Sequence, residues 1–434
     1  MSKSTPSGLV AYINARLLDP ASGLDCAGAL LTNGEIIADV GPGLFRGGVP
    51  AGIDVVDCAG HCLAPGLVDM RVQVREPGEE HKETLKTAGE AAVAGGVTSM
   101  VCLPNTDPII DEVATVEFVA RRARKNGLAK VYPYAAATKK LEGRELSEMG
   151  FLQAVSYTHL AGGIKAVADA QTMRRALSYA ATFGALIVQH PEDPSLAGSG
   201  VMNAGEQATR MGLSGIPPEA EIVMLERDMR LVAMTGGRYH AAHVSTAEGV
   251  EIIRRAKARG LPVTCDTAPP YFALNELEVT NYRTFAKLSP PLRGEADRLA
   301  VIAALRDGTI DAIASDHAPQ DEDAKRQTFA AAEFGGIGLE TLLAATLSLV
   351  HGGALDLLPA LALLTCRPAE VLRLPAGRLK VGAAADLLLF DPDRGWVVEP
   401  ARFKSKSKNS PFDGRPLQGV VLRTVVDGRT VYRA

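Results

Sequence analysis

The stretch Pro65–Thr84, PGLVDMRVQVREPGEEHKET, decides how the rest of the chain is read. Leu67, Asp69, Arg71, Gln73 and Arg75 fall at alternating positions. On a β-strand such positions share one face. If the strand belongs to a parallel barrel, its C-terminal end opens into the mouth where barrel enzymes place their active sites. Arg71, Gln73 and Arg75 then stand in that mouth. Cys58–Pro65 reads as a linker into a new domain. The residues after Thr84 read as an Ala- and Gly-rich helix leading to a second strand, Thr98–Leu103.

Further along, strand-like and helix-like patterns alternate, as βα repeats require. Lys130–Ala136 reads as strand three, the region Gln153–His159 as strand four and Ala185–His190 as strand five. Arg238–Val244, Leu261–Asp266 and Thr309–Asp316 read as strands six, seven and eight. Asp169–Phe183 and Thr246–Arg259 carry helical apolar spacing. The expected fold class is α/β, a (β/α)8 TIM barrel over 64–374. The segments 1–63 and 375–434 lie outside it. Both are β-like: Val10–Ala15, Ala29–Ile37 with the turn Asn33-Gly34, and Ile53–Cys58 at one end. At the other end are Ala385–Phe390, Val420–Val426 and Thr430–Tyr432, the last two flanking Asp427-Gly428.

A chain of 434 residues suits one barrel plus a smaller domain. Its 47% hydrophobic content supports a large core, and its 22% charged content is ordinary for a soluble protein. A net charge of −4 argues against nucleic acid or an anionic membrane as partner. The start, MSKSTPSGLV, has no apolar h-region, and no apolar run reaches transmembrane length. The six cysteines (Cys26, Cys58, Cys62, Cys102, Cys265 and Cys366) form no C-x-x-C pair. They read as reduced thiols in a cytoplasmic protein.

The opening stretch resembles the first barrel strand of the dihydroorotases, in the amidohydrolase superfamily. That family's pattern is P-G, two apolar residues, then D-x-H-V-H, an apolar residue and R-E-P-G. The H-K-E-T that follows it is matched by His81–Thr84. Further matches are His190 with the following Pro-Glu-Asp, His243-Val-Ser-Thr, and Ala314-Ser-Asp-His-Ala-Pro, which contains Asp316. Phe403–Gly414, FKSKSKNSPFDG, matches a C-terminal signature of dihydroorotases of the multifunctional-complex type, though its composition also fits a solvated loop. The resemblance runs from Ile13 to Tyr432. It implies a barrel with a β-sandwich built from both chain ends, and a binuclear metal site in the mouth.

That metal site is expected to be dismantled. Arg71 and Gln73 stand where the family has its strand-one histidines. The strand-four carboxylate position falls on Gly162, because the family's S-D-D-G aligns with Ala161-Gly162-Gly163-Ile164. His190, His243 and Asp316 remain as ligand positions, while His240 is expected on the outer face. An arginine cannot coordinate a metal, and its fixed charge repels one. Among substrate positions, Arg75 and Asn105 match two carboxylate-binding residues. Ser289, Gln320 and Ala268–Tyr271 depart from the family's N-P-P-L-R, D-x-A-P-H and T-P-H-H. Gly95-Gly96 and Gly335–Gly338 are expected beside the mouth.

The resemblance is to the non-catalytic dihydroorotase homologues that partner aspartate carbamoyltransferase in pyrimidine biosynthesis. It implies an oligomeric pseudoenzyme without a cofactor. The alternative is an active dihydroorotase interconverting N-carbamoyl-L-aspartate and dihydroorotate. It would use one zinc ion on His190, His243 and Asp316, with Asp316 catalytic. A third reading is a related cyclic-amide hydrolase such as a hydantoinase. In the first reading Arg71 takes the metal's place and forms a salt bridge with Asp316.

Overall fold

A computed structural model describes residues 8–155 and 159–434. Eight parallel strand positions form a closed ring. They are Leu67–Val72, Val97–Cys102, Lys130–Pro133 continued by Ala135–Ala136, Leu160–Ala161, Leu186–Gln189, Arg238–Ala241, Val263–Thr267 and Ala312–Ile313. The Tyr134 amide donates to the Cys102 carbonyl at 2.9 Å and joins the two arcs on one side. A parallel bridge between Val72 and His317 closes the other side. The expected barrel is therefore present, with strands one and eight as neighbours. Its interior is packed by Val68, Met70, Val101, Tyr134, Leu186 and Val188. A larger outer layer sets Leu67, Val97 and Ile187 against the helices, including Ala91, Leu177 and Ile253.

Both chain ends enter one eight-stranded sheet, where Leu387–Val397 pairs with Pro416–Val426 on one side and Cys62–Pro65 on the other. Alternation along Leu387–Phe390 sets its two faces. Leu387 and Leu389 join Tyr12, Leu17 and Val425 in the sheet's own core, whereas Leu388 and Phe390 pack with the barrel layer. The sheet curls until Ile36 bridges Ala384.

Two segments differ from expectation. Cys62–Pro65 is a fully buried strand rather than part of a linker. It pairs in parallel with Arg16–Leu17 on one side and antiparallel with Leu387–Phe390, more than 300 residues away, on the other, so no local signal marks it. Strand four is Leu160–Ala161, paired with Ala135–Ala136 and Leu186–Gln189, and not Gln153–His159. Met149–Val155 is helical, and positions 156–158 lie outside the described residues. A short apolar run such as MGFLQAV fits either period, and packing decides between them. Among the described residues no helix is long and apolar enough to cross a membrane.

The hairpins of the two chain ends meet at Gly428, whose φ is 71°. A Cβ there would lie 1.8 Å from the Gly34 carbonyl oxygen. Gly428→Ala is expected to destabilise the protein by about 1–3 kcal/mol, from the left-handed backbone plus this contact. The shift in urea midpoint measures it.

Candidate functional site

The first barrel strand changes phase before it reaches the mouth. Val68 and Met70 point into the barrel interior, whereas Leu67, Val72 and Val74 pack in the outer layer. Pairing with the second strand shifts register between Asp69 and Val72. Arg71 and Gln73 therefore face the mouth without sharing a regular alternation with Leu67 and Asp69, which corrects the simple one-face reading. Asp69 is fully buried, and its Oδ1 accepts the Arg71 and Ser315 amides, each at 3.1 Å. Burial pushes its carboxyl up to about 7.

The mouth encloses about 650 Å³ and is lined by Arg71, Gln73, Arg75, Asn105, His190, His243 and Asp316, among others. Arg71, 3% exposed, donates from Nε to Asp316 Oδ1 at 2.8 Å. The expected ion pair is therefore present in the structure. Its Nη2 points to the Gly163 carbonyl at 3.4 Å. Asp316 Oδ2 accepts from His243 Nδ1 at 2.9 Å, and His243 Nε2 lies 2.7 Å from His190 Nδ1. His190 Nε2 in turn lies 3.6 Å from Glu192 Oε1.

Proton positions follow from these contacts. Burial, reinforced by the Arg71 charge, holds the His243 imidazole down to about 4, so the ring is neutral. A carboxylate only accepts, so His243 carries its proton on Nδ1 and accepts at Nε2 from the His190 N–H. Burial raises the Asp316 carboxyl, but His243, Arg71 and their hydrogen bonds together hold it below the ordinary carboxylate range.

This donor set does not fit a metal. The His243 lone pair is occupied by His190, and both Asp316 oxygens are occupied. Arg71 has no lone pair to offer. Gln73 Oε1 accepts from Asn105 Nδ2 at 3.1 Å. At Gly162 a Cβ would stand 2.6 Å from the Lys165 carbonyl and 3.2 Å from Gln189 Oε1, so even the root of a carboxylate side chain is crowded. Among the described residues no group of three or more His, Cys, Asp or Glu side chains is arranged to hold a metal ion.

The positions expected to bind substrate are also engaged internally. Arg75 donates to Glu79 Oε2 at 2.7 Å and to the Pro319 carbonyl at 3.1 Å. Lys82 pairs with the same Glu79. Sequence reasoning misses Glu79, because it is the turn through Pro77-Gly78, not a helical i,i+4 spacing, that brings it to Arg75. Gln320 donates its side-chain amide to the Phe334 carbonyl at 2.8 Å. The Tyr271 hydroxyl donates to the Pro290 carbonyl at 3.0 Å.

His240 does not face outward. Its ring nitrogens contact Thr264 Oγ1 at 2.8 Å and Asp266 Oδ2 at 3.1 Å. It is Tyr239 that reaches out to Asp228, at 2.8 Å. His240 and His243, three residues apart, would take opposite faces of a regular strand, but the strand ends at Ala241 and His243 has φ 40°. Gly95 and Gly96 lie at the start of strand two, the end opposite the mouth, with Gly96 against Leu388. Gly335 and Gly336 do line the mouth.

Phe403–Gly414 is a strap rather than a solvated loop. Ser405, Ser407, Asn409 and Ser410 are buried. The Lys406 amide and the Ser405 hydroxyl donate to Glu83. Asn409 Nδ2 donates to the Ala318 and Gly335 carbonyls at 3.3 and 3.0 Å. The strap thereby ties the loop after strand one to the loop after strand eight. A second device fixes the strand-eight loop. Lys325 donates to the Thr284 and Glu333 carbonyls at 3.0 and 2.6 Å, and Lys287 to the Phe329 and Ala330 carbonyls, each at 2.9 Å. Burial, then the neighbouring Lys287 charge, holds the Lys325 ammonium down to about 7.

Two outcomes are expected. Arg71→Met leaves Asp316 without its cation and lowers stability by about 3 kcal/mol, and Arg71→Met combined with Asp316→Asn recovers part of that loss. Chemical denaturation of the three variants checks this. For Lys325, the unfolded chain holds the proton up to the ordinary value of 10.5. Folding therefore releases a proton between about pH 7 and about pH 10.5, and stability rises with pH across that window. The denaturation midpoint should climb from about pH 7 to about pH 9, with a shallower slope in Lys325→Met.

Comparison with known proteins agrees with this architecture. A family model described as dihydro-orotase-like matches residues 60–249, and one described as amidohydrolase family matches residues 343–432. The dihydroorotase of Anaplasma phagocytophilum (strain HZ) is 46% identical over 428 residues, 98% of this chain and 95% of its own. The dihydroorotase of Pelobacter propionicus is 45% identical over 420 residues, 97% of this chain and 98% of its own. Among solved structures, the L-hydantoinase (dihydropyrimidinase) of Arthrobacter aurescens superposes with a TM-score of 0.86 at 24% identity, covering 98% of this chain and 96% of that one. That likeness is one of fold. With whole-length relatives at this identity, the chain belongs to the dihydroorotase family, within the amidohydrolase superfamily.

Proposed function

We propose that this chain is a non-catalytic dihydroorotase homologue that serves pyrimidine biosynthesis as a structural partner of aspartate carbamoyltransferase. The observation that carries the loss of catalysis is the 2.8 Å ion pair between Arg71 and Asp316. A hydrolase of this type needs a polarising metal and an activated water beside the scissile amide. The guanidinium occupies the carboxylate that would serve both, and the histidines bind each other. The proposed protein carries no resident metal. Its six thiols are unpaired, which suits the cytoplasm.

The partner role is supported by a frame that persists while the polar groups of its pocket are bound to one another. Relatives align along nearly the whole chain. Large apolar side chains remain exposed on the outer helices, including Phe151 at 69% and Met234 at 71%. A stable interface needs about 1,000 Å² of buried surface. The alternative is a one-zinc dihydroorotase on His190, His243 and Asp316, and the name carried by the relatives favours it.

One set of measurements separates the two. The purified protein with added zinc should show no dihydroorotate hydrolysis, and Arg71→His with Gln73→His should not restore it, because Gly162 still supplies no ligand. Zinc-dependent turnover abolished by Asp316→Ala overturns the proposal. Co-expressed aspartate carbamoyltransferase should co-elute on size-exclusion chromatography, and His190→Ala should leave that complex intact. Separate elution at micromolar concentration, with the transferase fully active alone, overturns the partner role.

A further inference from the structure

A second cavity, of about 860 Å³, lies between the curled sheet and the barrel and shares no lining residue with the mouth. Its floor is apolar and buried, built by Leu343, Ala344, Leu389 and Val421. Its wall carries Trp396 and Phe403, whose ring centroids are 6.3 Å apart. The indole N–H is already donated to the Gly419 carbonyl at 2.9 Å, so Trp396 offers the cavity its ring rather than its polar edge.

The charges around this cavity divide into engaged and unengaged groups. Glu399 pairs with Arg402 at 2.7 Å. Glu340 accepts the Lys404 and Ser405 amides, each at 3.0 Å. Asp57 accepts from Asn14 at 3.0 Å and from the Ala59 amide at 2.8 Å. Arg423 donates to the Thr430 hydroxyl at 3.0 Å. Arg394 and Arg433 also line the cavity, and among the described residues neither guanidinium has a hydrogen bond or ion pair. One unpaired surface arginine is ordinary. Two on the rim of an aromatic-walled cavity between two parts of a fold make a favourable site for a ligand with a ring and an anion.

We propose that this cavity binds a nucleoside phosphate, with the base against Trp396 and Phe403 and the phosphates on Arg394 and Arg433. Flat rings stack on aromatic side chains, and guanidinium forks match phosphate oxygens in bidentate fashion. The volume lies within the ~300–1,000 Å³ typical of small-molecule sites. The inference is independent of whether the barrel mouth is catalytic.

Trp396 is the chain's only tryptophan, so its fluorescence reads this cavity alone. The full-length protein is titrated with adenosine triphosphate and uridine triphosphate, and separately with uridine and with inorganic triphosphate. Saturable quenching by a nucleoside triphosphate is expected, with a Kd below about 1 mM, and at least about ten-fold weaker binding of uridine or triphosphate alone. The double variant Arg394→Ala, Arg433→Ala should weaken nucleotide binding at least about ten-fold while keeping its thermal unfolding profile. Lys165→Ala, at the rim of the mouth, should leave binding unchanged. Absence of saturable quenching, equal binding by the double variant, or loss of binding in Lys165→Ala overturns the proposal.

Discussion

A guanidinium buried beside a carboxylate governs the chemistry of the barrel mouth. Taking either charge out of water alone is costly, and removing one member of such a pair is worse than never having had it. Arg71 and Asp316 therefore fix each other, and the rest of the mouth is arranged by what that pairing leaves over. Asp316 has one oxygen for Arg71 and one for His243. His243, neutral and with its proton directed at Asp316, has a lone pair that only a donor can satisfy. His190 supplies that donor at 2.7 Å. In a metal centre those lone pairs would converge on a cation. Here the same side chains form a hydrogen-bonded line from Arg71 through Asp316 and His243 to His190.

The outline of this fold was legible because it rests on local patterns. Apolar strand runs, helical spacing and turn residues placed the strands of the barrel, apart from the fourth, near their observed positions. The ion pair was legible as well, since strands one and eight must be neighbours in a closed ring. What escaped depends on partners distant in the chain. The phase change between Met70 and Arg71 arises from a register shift against the second strand. Cys62–Pro65 becomes a strand through Arg16–Leu17 and Leu387–Phe390, neither of them near it in the chain. His240 and His243 can both face inward because the strand stops at Ala241 and the backbone then turns at His243. The strap was read as possible surface because its serines and lysines are polar. Its polarity instead satisfies buried carboxylates and carbonyls, which composition cannot reveal.

The strap and the two buried lysines hold the loops of the mouth to one another through the chain's own groups. A binuclear centre would cross-link several strand ends at once. Here the loop after strand one reaches the strap through Glu83, and the loop after strand eight reaches it through Asn409. Lys325 and Lys287 add carbonyl-bound ammonium groups that tie the loop after strand eight to the loop after strand seven. These contacts are local and tolerate the loss of any metal ligand. They also consume groups that a substrate would need: Gln320 and Arg75 are both engaged by the loops they belong to or border.

The backbone at the mouth retains strain for which its present side chains give little reason. Arg75, His243 and Asp316 have φ values of 60°, 40° and 50°, in the left-handed region that non-glycine residues seldom occupy. Each such residue costs about 1–3 kcal/mol and persists only where the surroundings enforce it. At His243 and Asp316 the turned backbone aims both side chains at one point, the geometry a shared cation would require. At Gly162 the opposite holds: the chain has closed over the space, and a Cβ would meet the Lys165 carbonyl at 2.6 Å. Backbone strain on one side of the mouth and a contact that excludes a Cβ on the other are independent features of the backbone. Restoring ligands to Arg71 and Gln73 would rebuild the first side only. The local path of Gly162–Lys165 would still have to move before a strand-four carboxylate could enter, so the two halves of the site can be recovered only together.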